Sequence, residues 1–218
     1  MKMETKQNDG SVNARRRIGI LGGAFNPIHN GHLMIAESAR EQFALDRVLF
    51  IPTGHSPRKH KQRITDSVHR CAMISLAISD KDCFVLDEIE VHSSAISYTY
   101  RTMEKLKEEY ISCELFFVLG ADSLFDFESW RNPELILKNC NILAAYRKHQ
   151  HQEKFFQQIS YLNKKYPDKF FPLDAPILDV SSQEIRQRVK EGRTIEHFVP
   201  ESVEAYIQQH KLYKDFIS

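Results

Sequence analysis

Short apolar runs that alternate with amphipathic stretches constrain this chain more than any other feature. Residues 17–21 (RIGIL), 48–52 (VLFIP) and 115–119 (LFFVL) carry almost no polar side chains, the pattern of strands covered on both faces. Weaker strand signals lie at 84–86, 142–146 and 169–173. Helical periods fill the intervals. In 31–43, Leu33, Ala36, Ala39 and Phe43 recur at spacings of three and four, which puts them on one face. Asp66 and Ser67 stand where they can cap a helix whose apolar face includes Cys71, Ile74 and Ile78. Further helices are expected from Ser97 or Thr99 to Tyr110, after Pro133, over 152–166, from the S-x-x-E spacing of Ser181 to Glu184, and from Pro200. This alternation predicts an α/β fold, a doubly wound parallel sheet with helices on both faces. Such sheets bind ligands beyond the carboxyl ends of their strands, near the point where strand order reverses.

At 218 residues a chain buries about 70% or more of its unfolded surface. A single domain over 17–218 is expected, after a flexible polar tail of residues 1–16. An apolar share of 42%, with 14 Phe and 8 Tyr, excludes a disordered chain. Basic and acidic residues number 30 and 29, so no electrostatic argument brings in nucleic acid. No apolar run approaches the roughly 20 residues of a membrane span, and no membrane partner is expected. Cys71, Cys83, Cys113 and Cys140 include no C-x-x-C pair. The sequence therefore offers no metal-ligating set, and reduced thiols in a cytoplasmic protein are expected. Residues 203–212 present an apolar face for internal packing or for a second subunit, so a homo-oligomer stays open.

The segment after the first strand runs Gly22-Gly23-Ala24-Phe25-Asn26-Pro27-Ile28-His29-Asn30-Gly31-His32. Glycines without a Cβ let the backbone approach a ligand. A helix opening near Gly31 aims its unpaired N–H groups and positive dipole end into the same space, which suits phosphate. His29 and His32, three apart at that helix start, can face it together. Neither the G-x-G-x-x-G of dinucleotide oxidoreductases nor the P-loop lysine is present.

GGAFNPIHNGHL resembles the G-G-[TS]-F-[DN]-P-x-H-x-G-H signature of the nucleotidyltransferase superfamily. From about Arg17 onward the chain is similar to the bacterial nicotinate-nucleotide adenylyltransferases, whose fold is Rossmann-like. Ala24 stands in place of the usual Thr or Ser, and Asn26 in place of the commoner Asp. Val180-Ser181-Ser182-Gln183-Glu184-Ile185-Arg186 is similar to the family's I-S-S-T-x-[IV]-R, with Gln183 for Thr. An ordinary helix cap explains Ser181 and Glu184 but not Arg186. Gly120-Ala121-Asp122, followed by Trp130, resembles the G-x-D…W segment, and Ser97-Tyr98-Thr99 the S-[YW]-T segment. Pro57-Arg58-Lys59-His60 departs from the family's P-P-H-K, and a solvated basic loop explains it almost as well.

The resemblance implies transfer of AMP from ATP to nicotinate mononucleotide in NAD biosynthesis, giving nicotinate adenine dinucleotide and pyrophosphate. It implies catalytic roles for His29, His32 and Arg186. It implies ATP contacts at Gly22, Gly23, Ala24, Phe25, Gly31, Gly120, Asp122, Ser181, Ser182 and Arg147. Nicotinate-nucleotide contacts fall on Ser97, Tyr98, Thr99, Trp130 and Lys59, with the indole stacking on the pyridine ring. Mg²⁺ would be bound through the ATP phosphates. The competing readings are nicotinamide mononucleotide as acceptor, and a catalytically silent nucleotide-sensing module.

Overall fold

The computed structural model describes residues 15–55, 64–147, 152–176 and 180–214. Six strands form one sheet: β1 (Arg17–Gly23), β2 (Arg47–Pro52), β3 (Phe84–Leu86), β4 (Glu114–Gly120), β5 (Asn141–Arg147) and β6 (Phe170–Ala175). All neighbours pair in parallel, in the order β3-β2-β1-β4-β5-β6. The order reverses between β1 and β4, where Ile18 faces Leu115 on one side and Arg47 on the other. The expected doubly wound sheet is thus present, with its switch point at the ends of β1 and β4.

Alternation along β4 shows why the sheet needs two helical layers. Phe116 and Val118 enter a core completed by α1 (Asn30–Gln42), α2 (Ser67–Ala77), α7 (Ser182–Lys190) and α8 (Glu201–Gln209). Leu115, Phe117 and Leu119 enter the other, with α3 (Thr99–Glu109), α5 (Pro133–Asn139) and α6 (Gln152–Lys165). The faces read from sequence hold: Ala36 and Ala39 of α1 are buried with Leu33 and Phe43 packed beside them. Asp66 caps α2, accepting from the Val68 N–H at 3.0 Å. Among the described residues no helix is long and apolar enough to cross a membrane.

Several local expectations are refined. The helix expected from Ser97 or Thr99 to Tyr110 does start at Thr99, and its cap position is Tyr98, which makes no side-chain cap bond. Ser181 caps α7 through the Glu184 N–H at 3.1 Å, but the Glu184 carboxylate pairs with Arg188 at 3.0 Å instead of closing the box. A five-residue α4 (Ala121–Phe125) and a 3-10 turn (Phe127–Ser129) follow β4, too short for any sequence period to show. Val203 and Ile207 of α8 are fully buried in the core against α2, so that apolar face is internal. Residues 1–14 of the expected tail lie outside the described residues. Just before β1, the Arg16 carbonyl accepts from the Glu114 N–H at 2.8 Å.

Candidate active site

Strand β1 ends in Gly22 and Gly23 at the switch point, and the chain then crosses to the start of α1. Side chains from distant parts of the sequence hold this crossing from behind. Buried Arg70 donates to the Ala24 carbonyl at 2.9 Å and to the Thr65 carbonyl at 3.0 Å. Arg186 donates to the Asn26 carbonyl at 2.7 Å, and Ser182 Oγ to the Pro27 carbonyl at 2.8 Å. The buried Asn26 side chain accepts from the Tyr213 hydroxyl at 3.1 Å and from the Thr65 N–H at 3.3 Å. Phe25, at φ 45°, turns its ring into the core, edge-on to His32 at 4.9 Å. Only its backbone is left to meet a ligand.

His29 occupies the cap position of α1 in extended conformation. Its N–H donates to His32 Nδ1 at 3.2 Å, and the two imidazoles stack with centroids 3.6 Å apart. Because His32 Nδ1 accepts, the proton of the neutral ring sits on Nε2, which is thereby a donor. Burial pulls the His29 pKa down to about 4. Burial and then the neighbouring His29 hold His32 well below its ordinary value. Both rings are neutral at pH 7. His29 Nδ1 is buried without a hydrogen-bond partner among the described residues. A Cβ on Gly31 would lie 3.1 Å from that same Nδ1 and 3.1 Å from Val180 Cγ1, which accounts for the glycine between the histidines.

Beside the switch point opens a cavity of about 460 Å³. Gly22, Gly23 and Ala24 line it together with Ser97, Tyr98, Thr99 and Trp130. Trp130 is braced by Phe117 and Phe127, at centroid distances of 6.1 and 5.6 Å. On the cavity wall, Glu90 accepts from Thr102 Oγ1 at 2.7 Å, and burial pushes its carboxyl pKa up. Gly120 and Asp122 stand exposed where β4 meets α4, and a Cβ on Gly120 would meet nothing within 4 Å. Packing therefore does not require a glycine there.

The structure gathers the expected residues into two neighbouring groups. His29, Gly31, His32, Ser181, Ser182 and Arg186 cluster where α1 and α7 begin. Ser97, Tyr98, Thr99 and Trp130 line the cavity, which Gly22 to Ala24 join to the first group. Arg147 ends β5, and Lys59 lies outside the described residues. Arg70, Glu90, Thr102, Arg131 and Tyr213 were not among the site residues read from sequence. Two of these carry a signal in the sequence: Thr102 closes the S-Y-T-Y-R-T run that begins at Ser97, and Arg70 is a further basic candidate. Among the described residues no group of three or more His, Cys, Asp or Glu could hold a metal ion.

A family model for cytidylyltransferase-like proteins matches residues 20–188. A relative from Lachnoclostridium phytofermentans, named "Probable nicotinate-nucleotide adenylyltransferase", is 40% identical over 198 residues, covering 91% of this chain and 99% of that one. A protein of the same name from Thermoanaerobacter sp. is 39% identical and covers 91% and 94%. Among solved structures, the nicotinic acid mononucleotide adenylyltransferase of Plasmodium falciparum complexed with NaAD superposes with a TM-score of 0.75. It shares 22% identity, over 91% of this chain and 98% of that one, a likeness of fold.

Proposed function

The chain belongs to the cytidylyltransferase-like family, among the nicotinate-nucleotide adenylyltransferases, and we propose that it transfers AMP from ATP to nicotinate mononucleotide. An oxygen of the mononucleotide phosphate bonds to the α-phosphorus of ATP. The bond from that phosphorus to the bridging oxygen breaks, and pyrophosphate leaves. The attacking phosphate monoester has a second pKa of about 6, so it is mostly a dianion at pH 7 and needs no general base. Catalysis is then positioning and charge stabilisation.

The observation that carries this reading is the neutral, stacked His29–His32 pair at the start of α1, on the loop whose Gly22–Ala24 segment lines a cavity shared with Trp130. A neutral imidazole whose Nδ1 already accepts donates from Nε2 without moving a proton, which suits a phosphoryl oxygen that gains charge. Arg186 and Ser182 fix the loop through its carbonyls, and the N–H groups opening α7 face the leaving phosphates. Trp130 stacks on the pyridine ring, and the open start of α3 receives the carboxylate.

Mg²⁺ fits this donor set as an ion carried by the nucleotide, since the described residues offer no cluster of ligands. It would supply charge neutralisation on the triphosphate. In this reading residues 17–218 act as one domain, and the four unpaired cysteines suit a cytoplasmic setting.

Pyrophosphate release with ATP and Mg²⁺, measured in parallel with nicotinate and nicotinamide mononucleotide, tests the proposal. A strong preference for the acid is expected. Comparable rates would overturn the carboxylate assignment while leaving the reaction. No release with either would leave nucleotide binding without turnover.

A further inference from the structure

Among the described residues that line the cavity, two are of the charged types: Glu90 and Arg131. Glu90 is engaged in the wall by Thr102 Oγ1 at 2.7 Å. Arg131 is different. It makes one hydrogen bond, from Nη1 to the Tyr98 hydroxyl at 3.2 Å, and its guanidinium lies 4.9 Å from the centre of the Tyr98 ring. No carboxylate of the described residues pairs with it. The backbone on each side is fixed: Trp130 closes the 3-10 turn, and Asn132 adopts φ 53° before Pro133 opens α5. Arg131 is thus a cation with most of its five N–H donors uncommitted, held on an aromatic platform at the mouth of the cavity.

The platform itself gives the second half of the argument. Tyr98 is the cap residue of α3, which has no acidic residue in its first turn and no side-chain cap bond. The guanidinium therefore sits beside the positive end of a helix, next to the indole that faces the ring subsite. That combination favours a planar anion and gives nothing to a neutral group of the same shape.

We propose that Arg131 is a specificity-determining residue, selecting a pyridine carboxylate over the corresponding carboxamide. The inference rests on nicotinate mononucleotide being the acceptor. The planar fork of a guanidinium matches the two oxygens of a carboxylate. A carboxamide offers one acceptor and turns an NH₂ donor toward a group that only donates.

The test compares wild type, R131A and R131K with both mononucleotides, by pyrophosphate release and by ligand-induced quenching of Trp130, the one tryptophan of the chain. For R131A the acid is expected to lose about tenfold or more in Kd and KM, as for one charge-assisted contact, with kcat little changed. The amide should stay within about twofold, because its complex lacks that contact. R131K, which keeps the charge and loses the fork, should fall between. Equal losses with both ligands, or an unchanged affinity for the acid, would overturn the assignment. Arg131 is exposed, and an unchanged melting temperature will show that folding is not at issue. If wild type turns over neither mononucleotide the reaction assignment fails, and the acid-to-amide ratio of binding still decides the role of Arg131.

Discussion

The two halves of the site are built in opposite ways. The loop from Gly22 to His32 is held by four donors from three separate segments: Arg70 in α2, Ser182 and Arg186 in α7, and Tyr213 beyond α8. Its tip is also anchored, the Asn30 N–H and side chain reaching the Phe198 and His197 carbonyls at 2.9 and 2.8 Å. The cavity wall has sparser ties. Tyr98 and Arg131 lean on each other through one bond at 3.2 Å, and Arg131 is exposed. Charge that develops during phosphoryl transfer is stabilised only by donors that need not reorganise. Ring recognition tolerates side chains that adjust. Under the proposed function this difference would give rate to the first half and selectivity to the second.

The most severe way to break that division is His32→Ala. Removing one preorganised donor to a developing oxyanion typically costs about 10²–10³ in kcat, and a loss of that order is expected with the fold retained by circular dichroism. Changes on the cavity wall should instead move KM. A His32→Ala enzyme within tenfold of wild-type kcat would reverse the assignment.

The pH dependence of stability separates the halves next. His29 has a folded pKa near 4 against an unfolded value of 6.5. Between those values the unfolded chain binds a proton that the native state refuses, so stability rises with pH through the window and is lost as pH falls toward 4. The shift corresponds to about 3 kcal/mol, and His32 acts in the same sense. Glu90 has the opposite sign: its folded pKa is raised, so it withdraws stability as pH climbs from 4.5. Denaturant melts between pH 4 and 7 should show the histidine slope, and His29→Gln should flatten it. An unaltered slope in that variant would mean that the imidazole is not held neutral.

Strand–helix alternation made the sheet, its helical layers and the loop after β1 readable from sequence, because periods of 2 and 3.6 report burial directly. Local turn chemistry gave the caps at Asp66 and Ser181. What escaped depends on contacts between residues remote in sequence. Tyr213 meets Asn26 across 187 residues, and nothing in either local segment announces it. Glu90 looks like one more charge in an irregular stretch until Thr102 folds over it. Arg131 lies in a loop between two elements too short to have a period. The two histidines were legible because the glycine between them and the helix start fix their geometry locally.

The finest test makes one substitution at two glycines. In Gly31→Ala the new Cβ would press at 3.1 Å on His29 Nδ1 and on Val180 Cγ1, both in buried side chains. Ala is favoured over Gly in a helix by up to about 1 kcal/mol, while overpacking a tight site costs roughly 1–3 kcal/mol. A small net destabilisation is expected, with kcat reduced about tenfold because a displaced His29 no longer meets its phosphate well. In Gly120→Ala the Cβ meets nothing within 4 Å, and the residue has φ −81°, which any amino acid adopts. Stability should therefore stay level or rise by about 0.4–1 kcal/mol through a stiffer unfolded chain. Its effect should fall on KM for ATP, raised severalfold if the nucleotide lies against the end of β4. An unchanged KM would show that the nucleotide passes elsewhere, leaving Gly120 without a reason in either packing or binding. If Gly31→Ala also changed only KM, the rigid loop would be a binding surface like the cavity, and the separation of rate from selectivity would fail.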